Sequence, residues 1–159
     1  MRAGDTVRIC GACDRLHLIL FIHYRYIIYS SMSVTFKPPS NEPSIRLLMM
    51  PKYTNPDGDI FGGIILSMID EAAAVEAQRQ AHHRYVTVSM DSVQFHLPVK
   101  VGDMVSLWCQ TVKIGRSSIQ IHIDVFASPR CSDDEYKVTE ATVTLVAIDE
   151  YRSAVPILS

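Results

Sequence analysis

Residues 54–75 read TNPDGDIFGGIILSMIDEAAAV, a turn that leads directly into a long apolar helix. Asparagine, proline, aspartate and glycine at positions 55–58 favour the turn. The Gly62-Gly63 pair lets another group come close to the backbone N–H groups at the helix start, where an anion or a polarised carbonyl oxygen is favoured. Asp70 adds a carboxylate among helix residues that otherwise favour burial. The segment therefore predicts both a central helix and a candidate site.

The rest of the chain predicts strands around this helix. The helix is expected to run from about Gly62 to about His82, and its predicted solvent-facing residues are Glu71, Glu76, Gln78, Arg79 and Gln80. Apolar runs and alternation predict strands over residues 45–50, 85–95, 104–114, 119–125 and 136–148. Tight connections imply antiparallel pairing of the last three strands, and a single helix must cover the apolar face of the sheet. The predicted class is α+β, an antiparallel sheet wrapped around one long central helix.

The composition gives no support for several kinds of partner. With 159 residues, 48% hydrophobic and 20% charged, the chain is long enough for one globular domain. A net charge of −2 gives no reason to expect binding to nucleic acid or to an anionic membrane. The four cysteines do not suggest a disulfide framework, and the Cys10-x2-Cys13-x3-His17 spacing does not match a zinc site. We therefore expect a reducing, cytoplasmic location and no metal.

Residues 1–44 do not share the pattern of the rest and form a predicted N-terminal extension. Basic residues precede an apolar run over residues 16–29 that is interrupted by histidine and arginine. Three interpretations remain open: sequence upstream of a true start at Met32, a targeting segment, or a membrane anchor. The run is shorter than the ~20 apolar residues of a membrane span, so stable membrane insertion is not expected. Residues 33–44 predict a flexible lead-in.

Three stretches resemble the hotdog-fold acyl-CoA thioesterases, in particular the bacterial acyl-CoA hydrolase branch related to the mammalian brain-type enzyme. They are NPDGDIFGGIILSMIDEA, VTVSMDSVQFHLPVKVGD and VKIGRSSIQIHIDV, in that order. The resemblance covers residues 45–150 and leaves residues 151–159 as a C-terminal tail. It implies a hotdog fold and hydrolysis of fatty acyl-CoA to free acid and CoA, with no cofactor. It also implies a dimer, often assembled into a trimer of dimers, with the active site at the dimer interface.

Site residues follow from this resemblance. Asp70 corresponds to the family's helix carboxylate and could act either as a base towards water or as a nucleophile that forms an anhydride. Asp59 corresponds to the second functional position, although an aspartate there could simply cap the turn. Gly62 and Gly63 are the expected oxyanion donors; close helix–sheet packing is the alternative. The family often has tryptophan and glutamine where this chain has Ile64 and Met68, which leaves acyl-chain preference open.

A second group of candidates lies in a predicted hairpin turn. The CoA-binding residues expected there are Lys113, Gly115, Arg116, Ser117 and Ser118. Cations and hydroxyls suit the phosphates of CoA, whereas a plain solvated hairpin is the alternative. His82, His83, His96 and His122 lack ligand spacing, and Cys109 is expected in the core. Two other functions use the same fold: a non-catalytic acyl-CoA-binding module, and a dehydratase, which would need a histidine beside the acid.

Overall fold

The long helix lies at the centre of the structure, a computed structural model that describes residue 37 and residues 39–158. This helix, α1, spans Gly62–Gln80 and follows a short 3-10 helix at Pro51–Tyr53. The strands are β1 (Ile45–Leu48), β2 (Arg84–Asp91), β3 (Met104–Ile114), β4 (Ser118–Ser128) and β5 (Tyr136–Ile148). The Cys10-x2-Cys13-x3-His17 motif, the apolar run over 16–29 and the candidate start at Met32 lie outside the described residues.

The strands form one antiparallel sheet in the order β1-β3-β4-β5-β2. Consecutive hairpins join β3, β4 and β5, as the tight connections predict. By contrast, β2 follows α1 in sequence and pairs with the far side of β5. The edges of the sheet are therefore β1 and β2, each with one side that pairs with no other strand of the described chain. The predicted class, an antiparallel sheet curled around one helix, is confirmed.

Alternation along β4 explains how the sheet and helix share a core. Ile119, Ile121, Ile123 and Val125 are fully buried against α1, whereas the residues between them lie half-buried on the opposite face. From the helix, Ala72 and Ala73 reach zero exposure because their small side chains let the sheet approach closely. α1 packs mainly against β3 and β4 and only lightly against β2. That light contact leaves one side of the helix near the β2 edge, where Asp70 lies.

For one helix residue the prediction of solvent exposure was wrong. Glu76 was expected to face solvent, yet only 1% of it is exposed. Its carboxylate accepts a hydrogen bond of 2.7 Å from the Thr111 hydroxyl, one of 2.8 Å from Gln80, and two of 2.7 and 2.8 Å from Arg79. A buried carboxylate is tolerated only when its oxygens are satisfied in this way. Thr111 lies on β3, far along the chain, so this partner could not be predicted from the helix sequence.

Three predicted elements were also too long, and the first of them, β1, ends at Leu48 rather than at residue 50. α1 ends at Gln80 rather than His82, because Ala81 is already extended as the chain turns towards β2. β2 ends at Asp91 rather than at residue 95, because Ser92 has a positive φ of 62° that ends the strand. Residues 92–98 then pass over the start of α1, where the Phe95 ring lies beside Gly62, and the His96 N–H bonds to the Val138 carbonyl of β5 at 2.9 Å. Among the described residues, no helix combines the length and apolar character needed to cross a membrane.

Candidate active site

Asp70 lies near the middle of α1 with its carboxylate half-buried and oriented by one side chain. The hydroxyl of Thr87 on β2 donates a hydrogen bond of 2.6 Å to Asp70 Oδ1. Thr87 occupies a position of β2 that points towards the helix, since it pairs with the buried Leu145 of β5. The sequence analysis did not single out Thr87. Thr87 is exposed and the burial along β2 does not alternate regularly, so the strand sequence carried no signal for this contact.

The start of α1 has the form expected of an anion or oxyanion site. No side chain caps it: Phe61 occupies the N-cap position without a capping hydrogen bond. The first backbone N–H groups of a helix have no partner within the helix, so they can donate to a bound oxygen. A Cβ added at Gly63 would lie 2.6 Å from the Phe61 ring, whereas one at Gly62 would lie 3.4 Å from the Phe95 ring. Gly63 is therefore the tighter of the two positions.

A surface cavity of about 320 Å³ opens beside this helix start. Its lining is Ile60, Gly62, Ile65, Phe95, His96, Leu97, Pro98, Val99 and Val138. Most of these side chains are apolar, and Phe95 and Leu97 are each 48% exposed at the rim. An apolar cavity beside backbone donors suits a molecule that combines a hydrocarbon chain with a carbonyl group.

The turn before the helix holds Asp59 away from the helix cap. Asn55 Oδ1 accepts hydrogen bonds of 3.0 Å from the backbone N–H groups of Asp57 and Asp59, so Asn55 rather than Asp59 organises the turn. The Asp59 carboxylate forms an ion pair with Lys100 and remains 28% exposed. Asp59 and Asp70 have different partners, and the structure does not join them in a single site within one chain. A direct role for Asp59 stays a prediction.

The predicted CoA-binding hairpin forms between β3 and β4. The Gly115 N–H bonds to the Ser118 carbonyl at 2.7 Å, and a Cβ added at Gly115 would lie 2.9 Å from Ser118 Oγ, so a larger residue would require the Ser118 hydroxyl to move. Lys113 and Arg116 are both exposed. Ala147 on β5 donates its N–H to the Ser117 carbonyl at 2.8 Å, which fixes the turn to the sheet. The hairpin therefore presents two cations on a backbone that is held in place.

A separate polar cluster lies on the opposite face of the sheet. A ring nitrogen of His122 and carboxylate oxygens of Asp124 and Glu140, atoms of the kind that bind metal ions, lie within 4.8 Å of one another. The sequence did not predict that these three residues lie together. Lys137 Nζ is 2.8 Å from Asp124 and also pairs with Glu140, so a single ammonium group already bridges these two carboxylates. Hydrogen bonds from His122 and then Lys137 lower the pKa of Asp124 to about 2, and Asp124 in turn raises the pKa of His122. Because the neighbouring β4 isoleucines face α1, this cluster lies away from Asp70.

Cys109 lies in the core, as expected. Its Sγ is 3.5 Å from the Ala72 carbonyl, and burial raises the pKa of the thiol to about 12. A thiol with such a pKa is protonated at neutral pH, so it cannot act as a nucleophile. Among the described residues of α1, Asp70 is the half-buried carboxylate that faces the β2 edge.

Known proteins match the chain over this region. The Thioesterase superfamily profile matches residues 57–130. An uncharacterized acyl-CoA thioester hydrolase of Zymomonas mobilis is 45% identical over 114 residues, which are 72% of this chain and 76% of that protein. The chain belongs to the thioesterase superfamily. The acyl-CoA thioester hydrolase YciA of Escherichia coli is 40% identical over 121 residues, 74% of this chain and 92% of its own.

A solved structure agrees with the fold. The hexameric hotdog fold thioesterase of Campylobacter jejuni superposes with a TM-score of 0.70 at 40% identity, covering 74% of this chain and 91% of that one. The resemblance drawn from the three sequence motifs is thus confirmed, as are the hotdog fold and the enzyme class, a thioester hydrolase. The roles of individual residues stay predictions.

Proposed function

We propose that this thioesterase hydrolyses fatty acyl-CoA to a free fatty acid and CoA, with Asp70 as its catalytic carboxylate. The observation that carries the proposal is the half-buried carboxylate of Asp70 on α1, which accepts a hydrogen bond from Thr87 on β2. The start of the same helix has no capping side chain and borders an apolar cavity. The names of the Zymomonas and Escherichia relatives, both acyl-CoA thioester hydrolases, support the substrate class.

The chemistry requires a nucleophile and a donor for the developing oxyanion. In one route Asp70 takes a proton from water, the water oxygen attacks the thioester carbonyl, and the C–S bond breaks to leave the CoA thiolate, which the same proton neutralises. In the other route Asp70 itself attacks and the thiolate leaves, and water then hydrolyses the anhydride. In both, the N–H groups at Gly62 and Gly63 of a neighbouring copy of the chain stabilise the negative oxygen. Neither route needs a cofactor beyond the CoA of the substrate.

The site is assembled from two copies of the chain. Asp70 lies seven residues beyond Gly63, about 10 Å along the helix, which is too far for both to reach one carbonyl carbon. A second copy, paired along the free edge of β2, would bring its own helix start towards Asp70. The exposed Val88, 62% accessible at a bulge of β2, supports a contact at this edge. The hexameric state of the Campylobacter relative is compatible with three such dimers.

The remaining site residues fit the same scheme. Lys113 and Arg116 on the rigid hairpin bind the phosphates of CoA, assisted by the Ser117 and Ser118 hydroxyls. Asp59, paired with Lys100 in the free protein, contacts substrate or orients water across the dimer interface. The hydrolase domain comprises residues 45–150. The unpaired Cys109 and Cys131 are compatible with a cytoplasmic location.

Release of CoA tests the activity directly. The full chain is incubated with acyl-CoA substrates of increasing chain length, and free thiol is followed with a thiol reagent. We expect turnover that depends on the acyl chain. Acyl-CoA binding measured by calorimetry without any thiol release would instead favour a non-catalytic binding module and overturn the proposal.

A further inference from the structure

The C-terminal tail returns to the fold after β5. Asp149 closes a turn by accepting the N–H groups of Tyr151 and Ser153 at 2.9 and 2.8 Å. The chain then runs back beside the end of β5, where Ala154 bridges to Ile148 and the Val155 N–H bonds to the Ala147 carbonyl at 2.9 Å. We call residues 154–157 the C-terminal strap.

The strap ends on the hairpin that carries the candidate CoA-binding cations. The Ile157 N–H donates to the Arg116 carbonyl at 2.8 Å, and the Ile157 side chain is only 4% exposed. On the other side of the hairpin turn, Ala147 donates to the Ser117 carbonyl. Two consecutive carbonyls of the turn are therefore held from outside the hairpin, one by the sheet and one by the strap.

A histidine fixes the far end of the strap. His83 Nε2 lies 3.1 Å from the Ile157 carbonyl, and since a carbonyl only accepts, Nε2 carries the proton. The backbone of His83 is itself held, because Gln78 on α1 donates to the His83 carbonyl. The His83 ring also meets the Tyr85 ring edge to face, with centroids 6.1 Å apart. A path of direct contacts thus links α1, His83, Ile157 and Arg116.

We infer that the C-terminal strap positions the Lys113–Ser118 hairpin for the phosphates of CoA, with His83 as the positioning residue that holds the strap. This inference rests on the proposed function, which places those phosphates at the hairpin. A hairpin with long exposed cations loses conformational freedom when it binds an anion, and a fixed backbone reduces that cost. The strap therefore contributes to affinity for the nucleotide part of the substrate and not to the chemical step.

Kinetics with two substrates separate this role from a general structural one. Acyl-CoA and the matching acyl-pantetheine share the thioester, but the second lacks the phosphates. Deletion of residues 154–159 is expected to raise KM for acyl-CoA about tenfold, and His83→Phe about fivefold, the equivalent of one lost hydrogen bond. For both variants, kcat and the KM for acyl-pantetheine should stay within twofold of the parent. His83→Gln, which restores an N–H donor, and Leu158→Ala, at an exposed position, should behave as the parent.

Arg116→Ala, measured in parallel, distinguishes the two ways in which this inference can fail. An unchanged KM for acyl-CoA in Arg116→Ala would show that the hairpin does not bind the phosphates, and would overturn that part of the proposed function. A raised KM in Arg116→Ala, together with a parental KM in His83→Phe, would overturn the strap alone. Equal losses on both substrates in His83→Phe would also overturn it. If the deletion variant fails to fold, His83→Phe decides.

Discussion

The Thr87 hydroxyl on β2 donates a 2.6 Å hydrogen bond to the Asp70 carboxylate on α1. This bond joins the central helix to the edge strand of the sheet, and it fixes the direction of a half-buried carboxylate. Because the acceptor is charged, losing the bond should cost about 1.5–3 kcal/mol where the carboxylate must be aligned.

Thr87→Val should therefore lower kcat by roughly tenfold to a hundredfold, since valine keeps the shape but removes the donor. Thr87→Ser keeps the hydroxyl and should retain most of the activity. Steady-state CoA release by the two variants provides the comparison. A valine variant as active as the parent would show that Asp70 needs no partner on β2.

The glycine pair should respond unequally to alanine. A Cβ at Gly63 would lie 2.6 Å from the Phe61 ring and would have to displace it. A Cβ at Gly62 would lie 3.4 Å from the Phe95 ring. Alanine also favours helix, so neither change should lower the melting temperature. We expect Gly63→Ala to lose more activity than Gly62→Ala in CoA release. When both substitutions are made in a Phe61→Ala variant, the difference between them should become smaller. Equal activity of the two single variants would show that displacing the Phe61 ring does not disturb the site.

Assembly should depend on the free edge of β2. Val88 and Val112 are exposed by 62% and 51%, and each lies at an irregularity in its strand pairing, on β2 and β3 respectively. Val88→Asp places a charge at the proposed dimer contact, while Val112→Asp is the matched control. Light scattering after size exclusion should show a smaller assembly for Val88→Asp only, with loss of activity because the site needs two copies. Intact assembly of Val88→Asp would place the contact elsewhere.

The cluster on the outer face of the sheet predicts a pH-dependent contribution to stability. The folded-state pKa of Asp124 is about 2, below the usual value, so its stabilisation is present above about pH 4 and is lost as pH falls towards 2. The pKa of His122 is raised, so its contribution is present below about pH 6.5 and is lost as pH rises through the raised pKa.

Asp124→Asn should therefore cost most near pH 5, about 1–2 kcal/mol in the free energy of unfolding, and less at pH 2.5 or pH 8. Urea unfolding can be followed by the single tryptophan, Trp108, which pairs directly with Asp124 across β3 and β4. A pH-independent difference between the parent and the variant would rule out this charge network.

The sequence predicted the elements whose signal is local. Alternation identified β4, and the long apolar stretch after the glycine pair identified α1, because these patterns follow from which face is buried. It did not predict the burial of Glu76, whose hydroxyl partner Thr111 comes from a distant strand. Nor did it predict Thr87 as the partner of Asp70, or the return of the tail to Arg116. Contacts between residues far apart in the chain leave no periodic signal in either segment.

The central claim is that Asp70 performs the chemistry, and CoA release by Asp70→Asn tests it most directly. Asparagine keeps the size and can still pair with Thr87, but it cannot accept a proton from water or form an anhydride. The exposed neighbour Glu71 provides the control, as Glu71→Gln, measured on the same acyl-CoA substrate. We expect kcat of Asp70→Asn to fall by about 10³-fold, with assembly and melting temperature unchanged, and Glu71→Gln to match the parent. An Asp70→Asn variant within a few-fold of the parent rate would contradict the account.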